Sequence, residues 1–205
     1  PGGGAGRCRL NGKWSSKAPL VIGLTGSIGM GKSSAAQALR RLGVPVHDSD
    51  AVVHRLMGSG GAARKKIEAA FPGVIEDGAV DRKALGARVF ADPAALRKLE
   101  SILHPLVRRS ARAFLARMRR RREPFAVLDI PLLFETGGEV LCDAVMVVSA
   151  PASLQRARVL ARPGMTEDKF AGVLARQMPD REKRARADFV IETGLSRRHA
   201  LRQIK

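Results

Sequence analysis

The chain has 205 residues, 45% of them hydrophobic, which is enough for one good core with at most a small appended domain. No stretch approaches the ~18 consecutive apolar residues of a membrane span, and Cys8 and Cys142 lie far apart without CxxC spacing, so neither a disulfide framework nor a zinc site is expected. The net charge is +18, from 37 Lys and Arg against 19 Asp and Glu, but Tyr is absent and aromatics are 4%, so no base-stacking platform for nucleic acid is visible. These features predict a soluble cytoplasmic protein, with no membrane and no nucleic acid as partner, acting on anionic small molecules.

The opening "PGGGAGRCRLNGKWSSK" has basic residues but no apolar h-region, so residues 1–17 read as a flexible arm ahead of a single folded domain over 18–205. "PLVIGL" follows and predicts a buried strand over Leu20–Leu24. It runs into "GLTGSIGMGKSS", where Gly26, Gly31, Lys32 and Ser33 satisfy the spacing G-x-x-x-x-G-K-[ST]. Glycines let such a loop curl so that successive N–H groups form a nest for anionic oxygens. The Ala-rich "SAAQALRRL" behind it predicts a helix whose positive end faces the same anion. A polyphosphate fits this loop, with Gly26, Ser27, Ile28, Gly29, Met30, Gly31, Lys32, Ser33 and Ser34 around it. Lys32 would reach the β/γ-phosphates, and Ser33 would ligate Mg2+.

A second strand, Val44–His47, ends in "HDSDAVVHRL". Asp48 and Asp50 therefore sit at the C-terminal edge, where ligands bind open α/β sheets, and two carboxylates two residues apart on an extended end share a face. A kinase needs a carboxylate near its acceptor hydroxyl. Equally, Asp48 or Ser49 caps the helix that starts there. From that point "DAVVHRLM", "AARKKIEAAF", "DRKALGARVF" and "DPAALRKLESILHPLVRRSARAFLARM" carry apolar residues at three- and four-residue steps, with Asp81 and Asp92 as helix caps and Pro93 at the first helical position. This block of about 70 residues reads as a strandless helical insert, about 51–122, too long for one crossover and expected to stand over the ligand edge.

Further strands are predicted at Phe125–Asp129, Ala144–Ser149 and Phe189–Glu192, giving an α/β fold with a mainly parallel sheet flanked by helices. The third strand ends in "VLDIPLLFE", which puts Asp129 and Glu135 at the ligand edge; Asp129 suits Mg2+-bound water, or simply ends the strand. Between the fourth and fifth strands, about 153–187, lies a basic helical stretch broken at Pro163-Gly164 and Pro179, with Thr166 opening a fresh helix, in the order a kinase lid would occupy. A GTP switch is excluded, because the only Asn is Asn11 and no D-x-x-G occurs.

Taken in order, "GLTGSIGMGKSS", "DSD", "ILHPLV", "DIPLLFE" and "RQMPDREKRARADFVI" resemble the dephospho-CoA kinase family, over about Leu20 to Glu192. The resemblance implies a P-loop kinase core with a helical substrate-binding insert and a helical lid. It implies phosphorylation of the ribose 3′-hydroxyl of dephospho-CoA, with ATP and Mg2+ as cofactors. It assigns the catalytic base to Asp50, makes Asp48 a helper to the acceptor or metal, and sets His104 with Pro105 beside the substrate cleft. The same resemblance makes Pro131, Leu132 and Glu135 the wall under the acceptor nucleoside, and closes Arg156 and Arg162 on the ATP phosphates. Ser34 stands where the family often has Thr, and "IETG", from Ile191 to Gly194, where it often reads "IDNSG". The rival readings are another P-loop small-molecule kinase and a nucleic-acid-binding ATPase.

Overall fold

The computed structural model describes residues 18–90 and 92–205, so the arm expected over residues 1–17, with Cys8, lies outside the described residues. The described residues divide into two compact units, one running to His47 and resuming at Arg117, the other Asp48–Ala116.

In the first unit the chain forms β1 (Leu20–Thr25), α1 (Lys32–Arg41) and β2 (Val46–Asp48), which reaches the boundary between the units. After the second unit come β5 (Phe125–Asp129), β6 (Ala144–Ser149), α6 (Ala152–Leu160), α7 (Glu167–Leu174), α8 (Asp180–Arg186), β7 (Phe189–Glu192) and α9 (Arg197–Ile204). The sheet order is β2-β5-β1-β6-β7. β1 pairs in parallel with both neighbours, Leu24 opposite Asp129 on one side and Ile22 opposite Ala144 on the other, and β6 pairs in parallel with β7. All five predicted strands are present; the second begins and ends later than expected, starting just after Pro45, which accepts from the Val127 N–H but has no N–H of its own to give.

Alternation along the strands separates two faces. Ile22, Leu24, Met146 and Val148 pack with Ala35, Ala36 and Leu39 of α1 and with Ala200 and Ile204 of α9. Val145 and Val147 point the other way, onto Leu133, Phe134 and Met178. Register is pinned by carboxylates: Asp143 accepts from the Val21 N–H at 2.9 Å and Asp188 from the Val145 N–H at 2.8 Å. Each returns its own N–H to the same residue's carbonyl.

The second unit holds α2 (Ser49–Met57), α3 (Arg64–Ala70), β3 (Ile75–Glu76), β4 (Ala79–Val80), α4 (Arg82–Phe90) and most of α5 (Pro93–Arg120). Its core is Met57, Ile67, Phe71, Val74 and Leu85, with Leu99 and Leu103 packed against it. Asp81 caps α4 through Ala84 and Asp92 accepts from the Ala94 N–H, as expected. The insert is not strandless, however. β3 and β4 form a small antiparallel hairpin across Asp77-Gly78, both at positive φ, a turn that Asp-Gly favours; strands two residues long leave no alternation to read. Pro105 lies inside α5, which continues through it. No helix among the described residues is long and apolar enough to cross a membrane.

One buried ion pair seats α8 on the sheet. Lys183, fully buried, places Nζ 2.8 Å from Glu135 Oε1, which also accepts from the Met178 N–H at 2.7 Å. Burial pushes the Glu135 carboxyl up, but the Lys183 ammonium and the N–H groups of Met178 and Glu135 more than offset it and hold it below the usual glutamate range. A carboxyl lowered on folding stabilises the fold above its unfolded pKa and loses that contribution as pH falls through its folded value. Glu135→Gln, which leaves Lys183 buried without a counter-charge, should cost about 3–5 kcal/mol at pH 7. The gap to wild type in urea melts should close as pH falls from the unfolded glutamate range, about 4.3, through the lower folded value. A gap that stays constant with pH would show that the pair's charge is not what seats α8.

Candidate active site

Between β1 and α1 the chain turns through Gly26–Gly31. Gly26 lies against β6 so closely that a Cβ would stand 2.3 Å from the Val148 side chain and 2.8 Å from its carbonyl oxygen. Gly31 is the N-cap of α1, in the left-handed region at φ +90, where a Cβ would also press on Thr193 at 3.0 Å. No side chain caps α1, so the N–H groups of its first turn have no side-chain partner of that kind, while Arg40 and Arg41 suit its negative end.

Lys32, the first residue of α1, puts Nζ 2.6 Å from Asp129 Oδ1. Asp129 closes β5 next to Leu24 of β1 and its side chain is 4% exposed, so the sheet fixes the carboxylate and the carboxylate aims the lysine. A Gly-rich turn, a helix N-terminus and an oriented ammonium make an anion site. Ser33 and Ser34 are exposed on the same first turn. Among the described residues no group of three or more His, Cys, Asp or Glu could hold a metal. The hard oxygens of Ser33 and Asp129 fit Mg2+ nevertheless, which keeps several waters and needs one or two protein ligands beside substrate phosphates.

The loop's outer side is gripped by residues that sequence reasoning did not single out. Gln155 Nε2 donates to the Ile28 carbonyl at 2.8 Å, and the Ile28 N–H donates to Gln177 Oε1 at 3.0 Å. Thr193 Oγ1 donates to the Met30 carbonyl at 2.6 Å, and Arg158 donates to the Thr193 carbonyl at 2.8 Å. Only Thr193 carried a usable signal: it follows the last strand at the sheet's C-terminal edge, within the "IETG" departure.

Of the other expected residues in this unit, Pro131 accepts a hydrogen bond from the buried Thr25 hydroxyl at 3.0 Å, and Leu132 accepts from Thr136. Glu135 Oε1 is committed to Lys183 and Met178. Arg156 pairs with Glu167 across the break between α6 and α7, both well exposed, and Arg162 is exposed just past the end of α6. Cys142 is no nucleophile: burial, with Asp143 and Glu139 nearby, pushes its thiol up to about 12.

The second unit holds the remaining three. Asp48 caps α2 by accepting from the Ala51 N–H at 2.9 Å, so the cap reading of that residue is realised. Asp50 lies exposed in the first turn of α2, and His104 is half-buried on α5.

Comparison with known proteins agrees with this architecture. A family model described as dephospho-CoA kinase matches residues 20–197. Dephospho-CoA kinase of Paramagnetospirillum magneticum is 68% identical over 164 residues, 80% of this chain and 77% of that protein. That of Rhodospirillum rubrum is 59% identical, covering 91% and 89%. Among solved structures, TT1252 from Thermus thermophilus superposes with a TM-score of 0.81 at 38% identity, covering 91% of this chain and 94% of its own. Dephospho-CoA kinase from Campylobacter jejuni gives 0.61 at 25%, covering 90% and 93%. With nearly the whole folded chain matched, this protein belongs to the dephospho-CoA kinase family.

Proposed function

We propose that the chain transfers the γ-phosphoryl group of ATP to the ribose 3′-hydroxyl of dephospho-CoA, giving coenzyme A and ADP. Its main support is the Lys32–Asp129 pair beside the bare loop Gly26–Gly31, in a member of this family. The loop N–H groups and α1 hold the β/γ-phosphates, and Lys32 exchanges part of its attraction to Asp129 for the phosphate oxygens. Ser33 and Asp129 would hold Mg2+, whose charge would offset that of those oxygens.

Asp50 takes the proton of the 3′-hydroxyl as that oxygen bonds to the γ-phosphorus and the bond to the β,γ-bridging oxygen breaks, leaving ADP. Asp48 anchors the helix that carries Asp50, with its cap to Ala51 as the means. Arg156 and Arg162 close on the phosphates, and exposure on a solvent-facing ion pair leaves Arg156 able to change partner. To acceptor binding we assign Pro131 and Leu132 in the first unit and His104 in the second; Glu135 serves by fixing its own segment through Lys183.

ADP release by the purified chain should depend on dephospho-CoA, and Lys32→Ala should nearly abolish it while the fold persists. Activity without that acceptor, or with single-stranded nucleic acid in its place, would refute the substrate assignment. Asp50→Asn should lower kcat by ~10²–10⁴-fold with the KM for ATP little changed, the range of a general base. Melting temperature should stay near wild type, because Asp48 and not Asp50 supplies the cap. Full activity in Asp50→Asn would remove Asp50 from the chemistry.

A further inference from the structure

Ile28 is the third residue of the phosphate loop, and both of its peptide groups turn outward to side chains. Its carbonyl takes the Gln155 Nε2 hydrogen bond at 2.8 Å and its N–H gives the Gln177 Oε1 bond at 3.0 Å. The backbone partners fix which end of each amide faces the loop, since a carbonyl can only accept and an N–H can only donate. Gln155 lies on α6, 6% exposed, where the chain enters the expected lid; Gln177 lies after α7, where it returns.

Both glutamines are themselves held. Gln155 occupies the first turns of a helix whose Val159 is fully buried. Gln177 bonds its own N–H to the Leu174 carbonyl, and its neighbour Met178 is fastened to Glu135. Glutamine also suits the place chemically. A glutamate at 177 would accept from the Ile28 N–H but set a negative charge beside the phosphate site, and a lysine could not accept at all.

From this bracket we infer that Gln155 and Gln177 are positioning residues of the phosphate loop: the two roots of the lid hold the peptide groups on either side of one loop residue, Ile28, so lid movement is confined to residues 156–176 and the roots keep the loop in its phosphate-binding shape. This rests on the proposed phosphoryl transfer for its kinetic consequence, but the bracket itself can be read without turnover.

The test combines amide hydrogen exchange of the nucleotide-free full chain with steady-state kinetics. Gln177→Ala should speed exchange of the Ile28 N–H about tenfold or more, the effect of removing one partner of a sheltered hydrogen bond. The same variant should raise the KM for ATP by about tenfold, with the KM for dephospho-CoA unchanged and the melting temperature lowered by only about 2–4 °C. Gln177→Glu keeps an acceptor oxygen, so it should retain slow exchange at Ile28 while still weakening ATP through its charge. Unchanged Ile28 exchange in Gln177→Ala overturns the inference, and so does faster exchange with an unaltered KM for ATP. A wild-type chain inert toward dephospho-CoA would refute the proposed reaction alone, since the exchange at Ile28 would still decide whether the bracket exists.

Discussion

A strand paired on both edges and covered on both faces can leave its sheet only at an end, and β1 leaves at the edge where ligands bind. It must pass from strand to helix within Gly26–Gly31 while lying against β6 on one side and Thr193 on the other. That crowding dictates glycine at Gly26 before any ligand is considered, because a Cβ would overlap Val148. The helix that follows then begins without a side-chain cap, and the field at its first turn is left for an anion. Lys32 cannot be left loose in such a place. Asp129 holds it from the adjacent strand, and the register of Leu24 with Asp129 is what puts that carboxylate in reach.

The positive charge of the chain reads differently once its partners are known. Arg64 donates to the Gly78 carbonyl, Arg88 to that of Pro72 and Lys169 to that of Gly164. Arg186 lies over the Phe134 ring and binds Glu139, and Lys183 is wholly internal. These cations satisfy carbonyls at turns and fasten helices, which long side chains with several donors do well. Composition alone registers them only as a surplus of charge.

How legible each part was in the sequence follows from the range of its interactions. Strands such as Phe125–Asp129 and Ala144–Ser149 are continuous apolar runs, the mark of a parallel sheet covered on both faces, and their limits coincide with those expected. The phosphate loop is a local motif, readable for the same reason. The hairpin of β3 and β4 was too short to show alternation, though its Asp77-Gly78 turn was a signal in plain view. Asp48 could be read as cap or catalytic group because both uses demand the same residue at the same place, and the 2.9 Å bond to Ala51 establishes the cap. Gln177 was beyond reach: its partner is 149 positions away, and nothing in a glutamine beside a helix end tells which peptide it will meet.

The arginines of α6 differ in what they touch. Gln155, Arg158 and Val159 stand three and four residues apart, so they share one face of the helix, and that face is built into the core and the loop. Arg156 is one residue past Gln155, about 100° around the helix, and among the described residues it is exposed and pairs with Glu167. This basic helix therefore has two faces whose residues cannot be exchanged between neighbours. Arg158 gives its donors to Thr193 and holds the segment that backs Gly31, whereas the partner of Arg156 is an exposed carboxylate away from that segment. Helical phase, rather than the number of arginines in the stretch, divides the residues that hold the loop from those that face solvent.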